Sequence, residues 1–457
     1  MNVLELNQLI NRYVWGPEMM IVFLAVGLYL TFRSGLIQFR KFGIILRETV
    51  GAIRERALGF GGEITPFQAT MIALGATMGQ GNLIGVTAAI MAGGPGAIFW
   101  MWIAGLVGMA TKFAEATLAV HFRQRYADGS VSGGPMFYLA KGLGLPWLGG
   151  LFALFAAIAA FGIGNLTQSS AMAASFQDGF GVPPALTGLF VAVVVAFILA
   201  GGVARIARFA QVWVPFMVIA FLVASATELF FHLGNIGQAF ASIFTSAFNL
   251  QAAAGGAGGY ALSQALKAGV GRGIFSNEAG LGSAAIAHAQ AQVDHPVRQG
   301  FWGVVEVFLD TMVINTLMAL IILSTGAWME AASASQVFVV AWDEVPGDTA
   351  IASTILSLFV FTTIVSWGFY GEEAASFLLG EGIRWPYRIT YVVLAFVGGL
   401  GGFEAFTQIS DTLNGLMAIP NLIGLIVLGG VVARLTRGFF SGEPWVPPES
   451  QGSGRGA

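Results

Sequence analysis

Gly75-Ala-Thr-Met-Gly-Gln-Gly-Asn-Leu-Ile-Gly85 and Gly271-Arg-Gly-Ile-Phe-Ser-Asn-Glu-Ala-Gly-Leu-Gly282 each interrupt a long apolar run. Neither stretch reads as a continuous helix. In lipid, unwound backbone is tolerated only where it lines a cavity enclosed by protein. An unwound turn exposes N–H groups at the start of one half-helix and C=O groups at the end of the other. Those ends hold a carboxylate and a cation respectively. The polar residues Gln80, Asn82, Ser276, Asn277 and Glu278 need partners that helix packing alone does not supply. A charge inside a membrane points to function. At Gly79 and Gly81 a β-carbon would fill the space of approach and disfavour a positive φ. Gly93, Gly94, Gly105 and Gly108 lie outside the two clusters and read as packing positions.

The composition around these stretches is that of a membrane protein. Of 457 residues, 56% are hydrophobic and 10% charged, with a mean hydropathy of +0.77. A soluble protein carries about 25% charge, so a soluble domain of this length is excluded. A net charge of −3 offers no footing for nucleic acid, and the absence of Cys excludes disulfides and thiolate metal sites. The start, MNVLELNQLINRYVWGPE, places acids and Asn before the first apolar run and does not read as a signal peptide. His121, His232, His288 and His295 follow no ligand spacing, so no resident metal or cofactor is expected. A membrane enzyme would cluster His, Asp or Glu near one face, and none is found. A channel would line a continuous polar path, whereas two centrally broken helices suit a transporter.

Eleven spans of about 20 residues are expected, near 17–33, 64–91, 96–120, 148–176, 185–202, 208–231, 256–289, 298–325, 349–371, 387–404 and 411–433. The loops that follow spans 1, 3, 5, 7, 9 and 11 collect 17 of the 21 basic residues on one side. The stretch 326–348 holds Glu330, Asp343, Glu344 and Asp348 with no base. The positive-inside rule then sets the N-terminus outside and the C-terminus in the cytoplasm. The broken spans are the second and the seventh, five apart, so they cross in opposite directions. That is the pattern of an inverted repeat of five plus five helices preceded by one extra helix.

The expected fold class is therefore all-α and polytopic. Residues 1–63 form a first helix and a cytoplasmic loop, 64–231 the first repeat, 232–255 an external connector, 256–435 the second repeat and 436–457 a disordered tail. Within 34–62, the spacing of Phe39, Phe42, Ile45, Leu46, Val50 and Ile53 predicts an amphipathic helix along the membrane surface. The stretch 232–250 is a similar candidate on the outer face. Further polar groups fall in spans 4, 8 and 9. Gln168 reads as a pocket residue or an interhelical hydrogen bond, and Glu306 and Asp310 as structural partners of Arg272 or Lys267. The hydroxyls of Thr362 and Thr363 suit Na⁺, a hard cation that wants oxygen ligands. Phe275 and Trp367 suit the apolar wall of a small pocket.

Gly93-Gly-Pro-Gly-Ala-Ile-Phe-Trp-Met-Trp-Ile-Ala-Gly105 resembles the signature of the alanine or glycine:cation symporter family. Gly79-x-Gly-Asn-Leu-Ile-Gly-Val86, Gly162-Ile-Gly-Asn-Leu-x-Gln168 and Arg272-Gly-Ile-Phe-Ser-Asn-Glu-Ala-Gly-Leu-Gly-Ser283 resemble further motifs of it, and the likeness runs from about residue 16 to 435. The resemblance implies a multi-pass protein of the bacterial plasma membrane with a fold like that of the bacterial leucine transporter. It implies symport of alanine or glycine driven by Na⁺ or H⁺. The substrate carboxylate would meet Gly79, Gln80 and Gly81, and its ammonium the backbone carbonyls near Phe275 and Ser276. Gln168 would line the pocket and Trp367 would limit side-chain size. The cation would lie between span 2, with Thr77 and Asn82, and Thr362 and Thr363 of span 9. Gln80 departs from the family pattern, where Thr is usual. The longer amide shrinks or rewires the pocket and leaves the exact substrate open.

This topology is testable because the chain lacks Cys. A single Cys at Val340 should react with an impermeant maleimide only from outside, and one at Val50 only from inside. Labelling of both from one side would sink the eleven-span topology.

Overall fold

The computed structural model describes residues 2–53, 62–248, 257–329, 333–342 and 347–448. The expected features at Arg54, Arg56, Glu330, Asp343, Glu344 and beyond 448 lie outside these residues. The helices are α1 (Val3–Val14), α2 (Pro17–Arg33), α3 (Pro66–Thr77), α4 (Gly81–Gly93), α5 (Gly96–His121), α6 (Pro146–Phe180), α7 (Pro184–Leu199), α8 (Gly202–Phe231) and α9 (Leu233–Ala247). They continue with α10 (Ala257–Asn277), α11 (Pro296–Thr325), α12 (Asp348–Leu379), α13 (Arg384–Leu400) and α14 (Glu404–Ser441). Among the described residues, seven helices are long and apolar enough to cross a membrane: α1 with α2, α5, α6, α8, α11, α12 and α14. The other four expected spans overlap α3–α4, α7, α10 and α13, and α10 ends at Asn277, short of the expected 289.

Local chemistry sets the helix ends. Thr65 and Gln68 cap α3 reciprocally, the Thr65 hydroxyl accepting from the Gln68 N–H at 3.1 Å, with Pro66 in the first turn. Helices α6 and α11 each widen into a π-helical turn, Gly162–Leu166 and Phe308–Ile314. Such turns frequently mark functional sites.

The exposed face of this protein is apolar and its interior is partly polar. Helix α7 exposes Leu189, Phe190, Val193 and Phe197, and α8 exposes Val212, Phe216, Ile219 and Val223. By contrast, every residue of α5 from Gly108 to Val120 is buried, including Lys112 and Glu115. A helix buried all round sits at the core. Glycine lets its neighbours close on it. A β-carbon on Gly269 of α10 would stand 2.1 Å from the Ala97 carbonyl oxygen, and one on Gly303 of α11 would stand 2.8 Å from that of Lys112. Gly93 and Gly105 sit in similar contacts with Ala265 and Thr311, the packing role expected of them.

Two expectations change at the periphery. In its described residues the basic loop forms a 3-10 turn, Val50–Ala52, and two short α-helical pieces, Ile37–Arg40 and Phe42–Glu48, rather than one helix. Lys41, at φ −121°, lies off helical geometry between them. Ile45 is buried there, while Phe39, Leu46, Val50 and Ile53 remain exposed. At the other end, α14 runs to Ser441, past the expected start of the tail at 436, and Trp445 donates its indole N–H to His121 Nδ1 at 3.0 Å. The amphipathic candidate at 232–250 appears as α9, which buries Ala239, Ile243 and Ala247 and exposes Phe240 and Phe244.

A hairpin, β1 (Gln124–Arg125) with β2 (Val131–Ser132), ties three distant parts of the chain together. The Val131 N–H donates to Glu63, Gln290 donates to the Val131 carbonyl, and Ser132 donates to Glu373 at the end of α12. Arg384 and Arg388 of α13 hold Glu372 and Glu373 as ion pairs.

The glycine seam predicts a stability effect. Gly269→Val should lower detergent stability by about 1–3 kcal/mol through overpacking, whereas Gly234→Ala, which meets nothing within 4 Å, should leave it unchanged. Thermal melting of both variants checks this.

Candidate functional site

The two broken helices meet at the centre of the molecule. Helix α3 ends at Thr77, Met78 leaves helical geometry at ψ 86°, and α4 begins with a wide turn over Gly81–Gly85. Asn82 holds this break. Its Oδ1 accepts the Gly79 N–H at 3.0 Å. Its Nδ2 faces Ser276 Oγ at 2.9 Å, Asp310 Oδ1 at 2.6 Å and Asn315 Oδ1 at 2.9 Å. An amide has two protons for these three oxygens. Such a gathering of oxygens around one positive centre is the donor set a hard cation prefers.

A second oxygen cluster lies against α12. Thr363 Oγ1 is 3.1, 3.3 and 3.2 Å from the carbonyl oxygens of Gly75, Met78 and Phe359. One hydroxyl proton cannot serve all three. Thr362 donates to the Phe359 carbonyl at 2.8 Å. Thr77, expected in this group, instead turns to the carbonyls of Ala73 and Leu74 in its own helix, both at 3.3 Å.

Gly79 is the tightest point between these clusters. A β-carbon there would stand 2.7 Å from Thr363 Oγ1 and 3.4 Å from Gln168 Oε1. At Gly81 it would meet the Phe275 ring at 3.5 Å, an ordinary contact. Neither glycine has a positive φ. Close approach thus requires glycine at 79, as the sequence reading expected, though φ does not; the reading of Gly81 is corrected, since neither approach nor φ requires glycine there. Gln168 is buried. Its Nε2 donates to the Ile163 carbonyl at 3.1 Å inside the π-helical turn of α6, and its Oε1 has no hydrogen-bond partner.

A cavity of about 610 Å³ runs from the exposed Asp178, Gln336 and Glu404 down to Gln80 and Ile84. Among the seven residues expected to bind substrate, Gln80 lines it and the other six do not. Phe275 faces a separate cavity of about 260 Å³ shared with Trp15, Lys267, Arg272 and Asp411. Trp367 is buried. It packs on Gly164, where a β-carbon would stand 2.4 Å from its own, and donates Nε1–H to Glu278 Oε1 at 3.2 Å.

The break after α10 has a different origin from that after α3. Glu278, Gly280 and Gly282 take φ values of 54°, 96° and 88°. The freed backbone finds buried partners: the Gly280 N–H donates to Glu115 Oε1 at 3.0 Å, and its carbonyl accepts from Asn421 Nδ2 at 2.8 Å. Tyr138 donates to Asn421 Oδ1, and Ser283 to Glu278. The expected pairing of Glu306 and Asp310 with Arg272 or Lys267 is not what forms. Glu306 is 3.3 Å from Lys112 and 2.8 Å from His288, and Asp310 takes Asn82, Ser276 and Thr311. Arg272 and Lys267 are exposed at the smaller cavity. Sequence reasoning passed over Lys112, Glu115 and Asn421. Lys112 and Glu115 stand three apart in an apolar run, on one helix face, and that was the available signal.

A family model described as the sodium:alanine symporter family matches residues 1–444. The chain belongs to that family. The symporter is 42% identical to an uncharacterized transporter of Haemophilus influenzae, covering 96% of this chain and 97% of that protein. It is 41% identical to the sodium/alanine symporter AgcS of Methanococcus maripaludis, over 96% and 98%. Among solved structures, MhsT in complex with L-phenylalanine covers 84% of this chain and 100% of its own, at 16% identity and a TM-score of 0.54. That likeness shows a leucine-transporter-like fold. The symporter is thus a multi-pass bacterial membrane protein and a secondary transporter, not an enzyme. It couples a small neutral amino acid, alanine or glycine, to cation symport.

The glycine geometry separates two variants. Gly79→Ala drives a methyl into Thr363 and should abolish alanine uptake in a protein that still folds. Gly81→Ala should retain uptake, because Phe275 is at contact distance. Uptake by proteoliposomes with equal amounts of each variant checks this.

Proposed function

We propose that the symporter has eleven spans, with α2 preceding an inverted repeat whose halves are 64–231 and 256–435. The N-terminus is outside and the C-terminus cytoplasmic, so the large cavity faces outward. The observation that carries the site is the convergence of Thr363 Oγ1 and Gln168 Oε1 on Gly79 at the break of α3 and α4. A zwitterion must leave water with both charges compensated. The N–H groups at the start of α4 have no earlier partner in their own helix and suit the carboxylate. The unpartnered Gln168 Oε1 and the carbonyls near Phe275 and Ser276 suit the ammonium. Trp367 closes the far side.

Two cation positions follow from the two oxygen clusters. One joins the carbonyls of Gly75, Met78 and Phe359 to the hydroxyls of Thr362 and Thr363. The other joins Asn82, Ser276, Asp310 and Asn315, where the carboxylate supplies a matching charge. All these ligands are oxygens once the Asn82 amide presents its carbonyl, and Na⁺ is the coupling ion such a set favours. An inward-facing state requires release of the Ser132–Glu373 bond and the Arg384 ion pairs.

Uptake of labelled alanine by proteoliposomes should follow an imposed Na⁺ gradient. Thr363→Ala should raise the Na⁺ concentration needed for half-maximal uptake several-fold, while uptake at saturating Na⁺ persists. Uptake that follows a proton gradient and ignores Na⁺ would overturn the ion assignment.

A further inference from the structure

Beyond the floor of the large cavity, a single side-chain hydrogen bond joins α12 to the unwound turn after α10. The cavity is lined by Ser353 and Leu356 of α12. Trp367 lies eleven residues past Leu356, about 16 Å further along the axis at 1.5 Å per residue. In α6 the lining begins at Leu166, and Gly164, which touches Trp367, lies just past it. The Trp367 indole and the Glu278 carboxylate therefore sit on the closed side of the central site.

We propose that Glu278 is a positioning residue that holds Trp367 as the inner gate of the symporter, and that substrate leaves inward only when the Glu278–Trp367 bond breaks. This rests on the alternating-access reading above. Three observations carry it. First, the indole is pinned on both sides. Its Cβ lies against Gly164, and its N–H, which needs a partner when buried, has Glu278 Oε1 at 3.2 Å. Second, Glu278 adopts a φ of 54°, a conformation shared among the described non-glycine residues with Leu36 alone. This left-handed geometry is unfavourable for a residue with a β-carbon. Gly280 and Gly282 take positive φ beside it without that penalty. A glycine at 278 would suit the backbone better, so what Glu278 adds is its carboxylate. Ser283 donates to the second carboxylate oxygen and fixes its direction. Third, Trp367 follows Thr363 by one turn on the same face of α12. A shift of α12 that loosens the oxygen cluster at Thr363 therefore also moves the indole. The gate and the cation cluster are two points on one rigid helix.

The Cys-free chain permits a direct test. Ala374 is buried and lies seven residues past Trp367 on the same face of α12. The reporter Ala374→Cys is exposed to an impermeant maleimide on the face opposite the large cavity. Loss of one buried hydrogen bond to a charged group shifts an opening equilibrium about tenfold or more. Trp367→Phe removes the donor, and Glu278→Gly removes the acceptor while relieving the backbone. Each should accelerate labelling by that factor, and the double variant should be no faster than the faster single, since both remove one bond. Glu278→Gln, which keeps an acceptor oxygen, should label close to the wild-type rate. Melting curves identify any variant that does not fold, and if Glu278→Gly is one, Trp367→Phe decides alone. Unchanged labelling in the folded single variants, or additive acceleration in the double, would overturn the gate. Calorimetric binding of alanine to the reporter protein is measured alongside. Its absence would refute the substrate reading and leave the labelling comparison intact.

Discussion

Backbone hydrogen bonds surrendered at membrane depth must be replaced by protein groups, because lipid offers none. The rest of this molecule is arranged around that constraint. At the first break, Asn82 accepts the Gly79 N–H, and Thr363 stands over the carbonyls of Gly75 and Met78. At the second, Glu115 and Asn421 bind the N–H and carbonyl of Gly280. These side chains come from α4, α5, α12 and α14. Each break is thus held in part by helices distant in sequence, Thr363 at the first and Glu115 and Asn421 at the second.

Buried charge is the second consequence. Lys112 and Glu306 are fully buried 3.3 Å apart, and His288 completes the site at 2.8 Å from Glu306, with Gln299 at its other nitrogen. Breaking such a pair by removing one partner would leave a charge uncompensated, at a cost of about 3–5 kcal/mol. Helix α5 can carry Lys112 and Glu115 only because glycines on α10 and α11 let their backbones close around it. Small residues at one level of the structure permit charges at the next.

The asymmetry of the two sides gives this arrangement a direction. One side holds an open cavity of about 610 Å³ reaching Gln80. On the proposed topology the other is closed by the hairpin, the Arg384 and Arg388 ion pairs and, nearest the centre, Trp367 against Glu278. The closed side is polar and hydrogen-bonded rather than greasy. Polar contacts of this kind exchange for water when they open, which suits a barrier that must form and dissolve repeatedly.

Sequence alone determined the class of the fold and the two breaks. Apolar runs of about 20 residues and interruptions by Gly, Asn and Glu are local properties, and lipid punishes any misreading of them. It also marked Gln80, Asn82, Gln168, Ser276 and Thr363, since a polar group in an apolar run has to be explained by a partner. Which partner was beyond its reach. Glu306 read as a partner of Arg272 or Lys267, and only the fold put Lys112 and His288 beside it while leaving those two bases at a surface cavity. The two glycine clusters looked alike in sequence, yet Gly280 and Gly282 serve backbone conformation and Gly79 serves close approach. Trp367 read as a pocket wall, and only the fold shows that it packs on Gly164 and bonds to Glu278. Such distinctions depend on distances between residues far apart in the chain, and periodicity and composition carry no information about those.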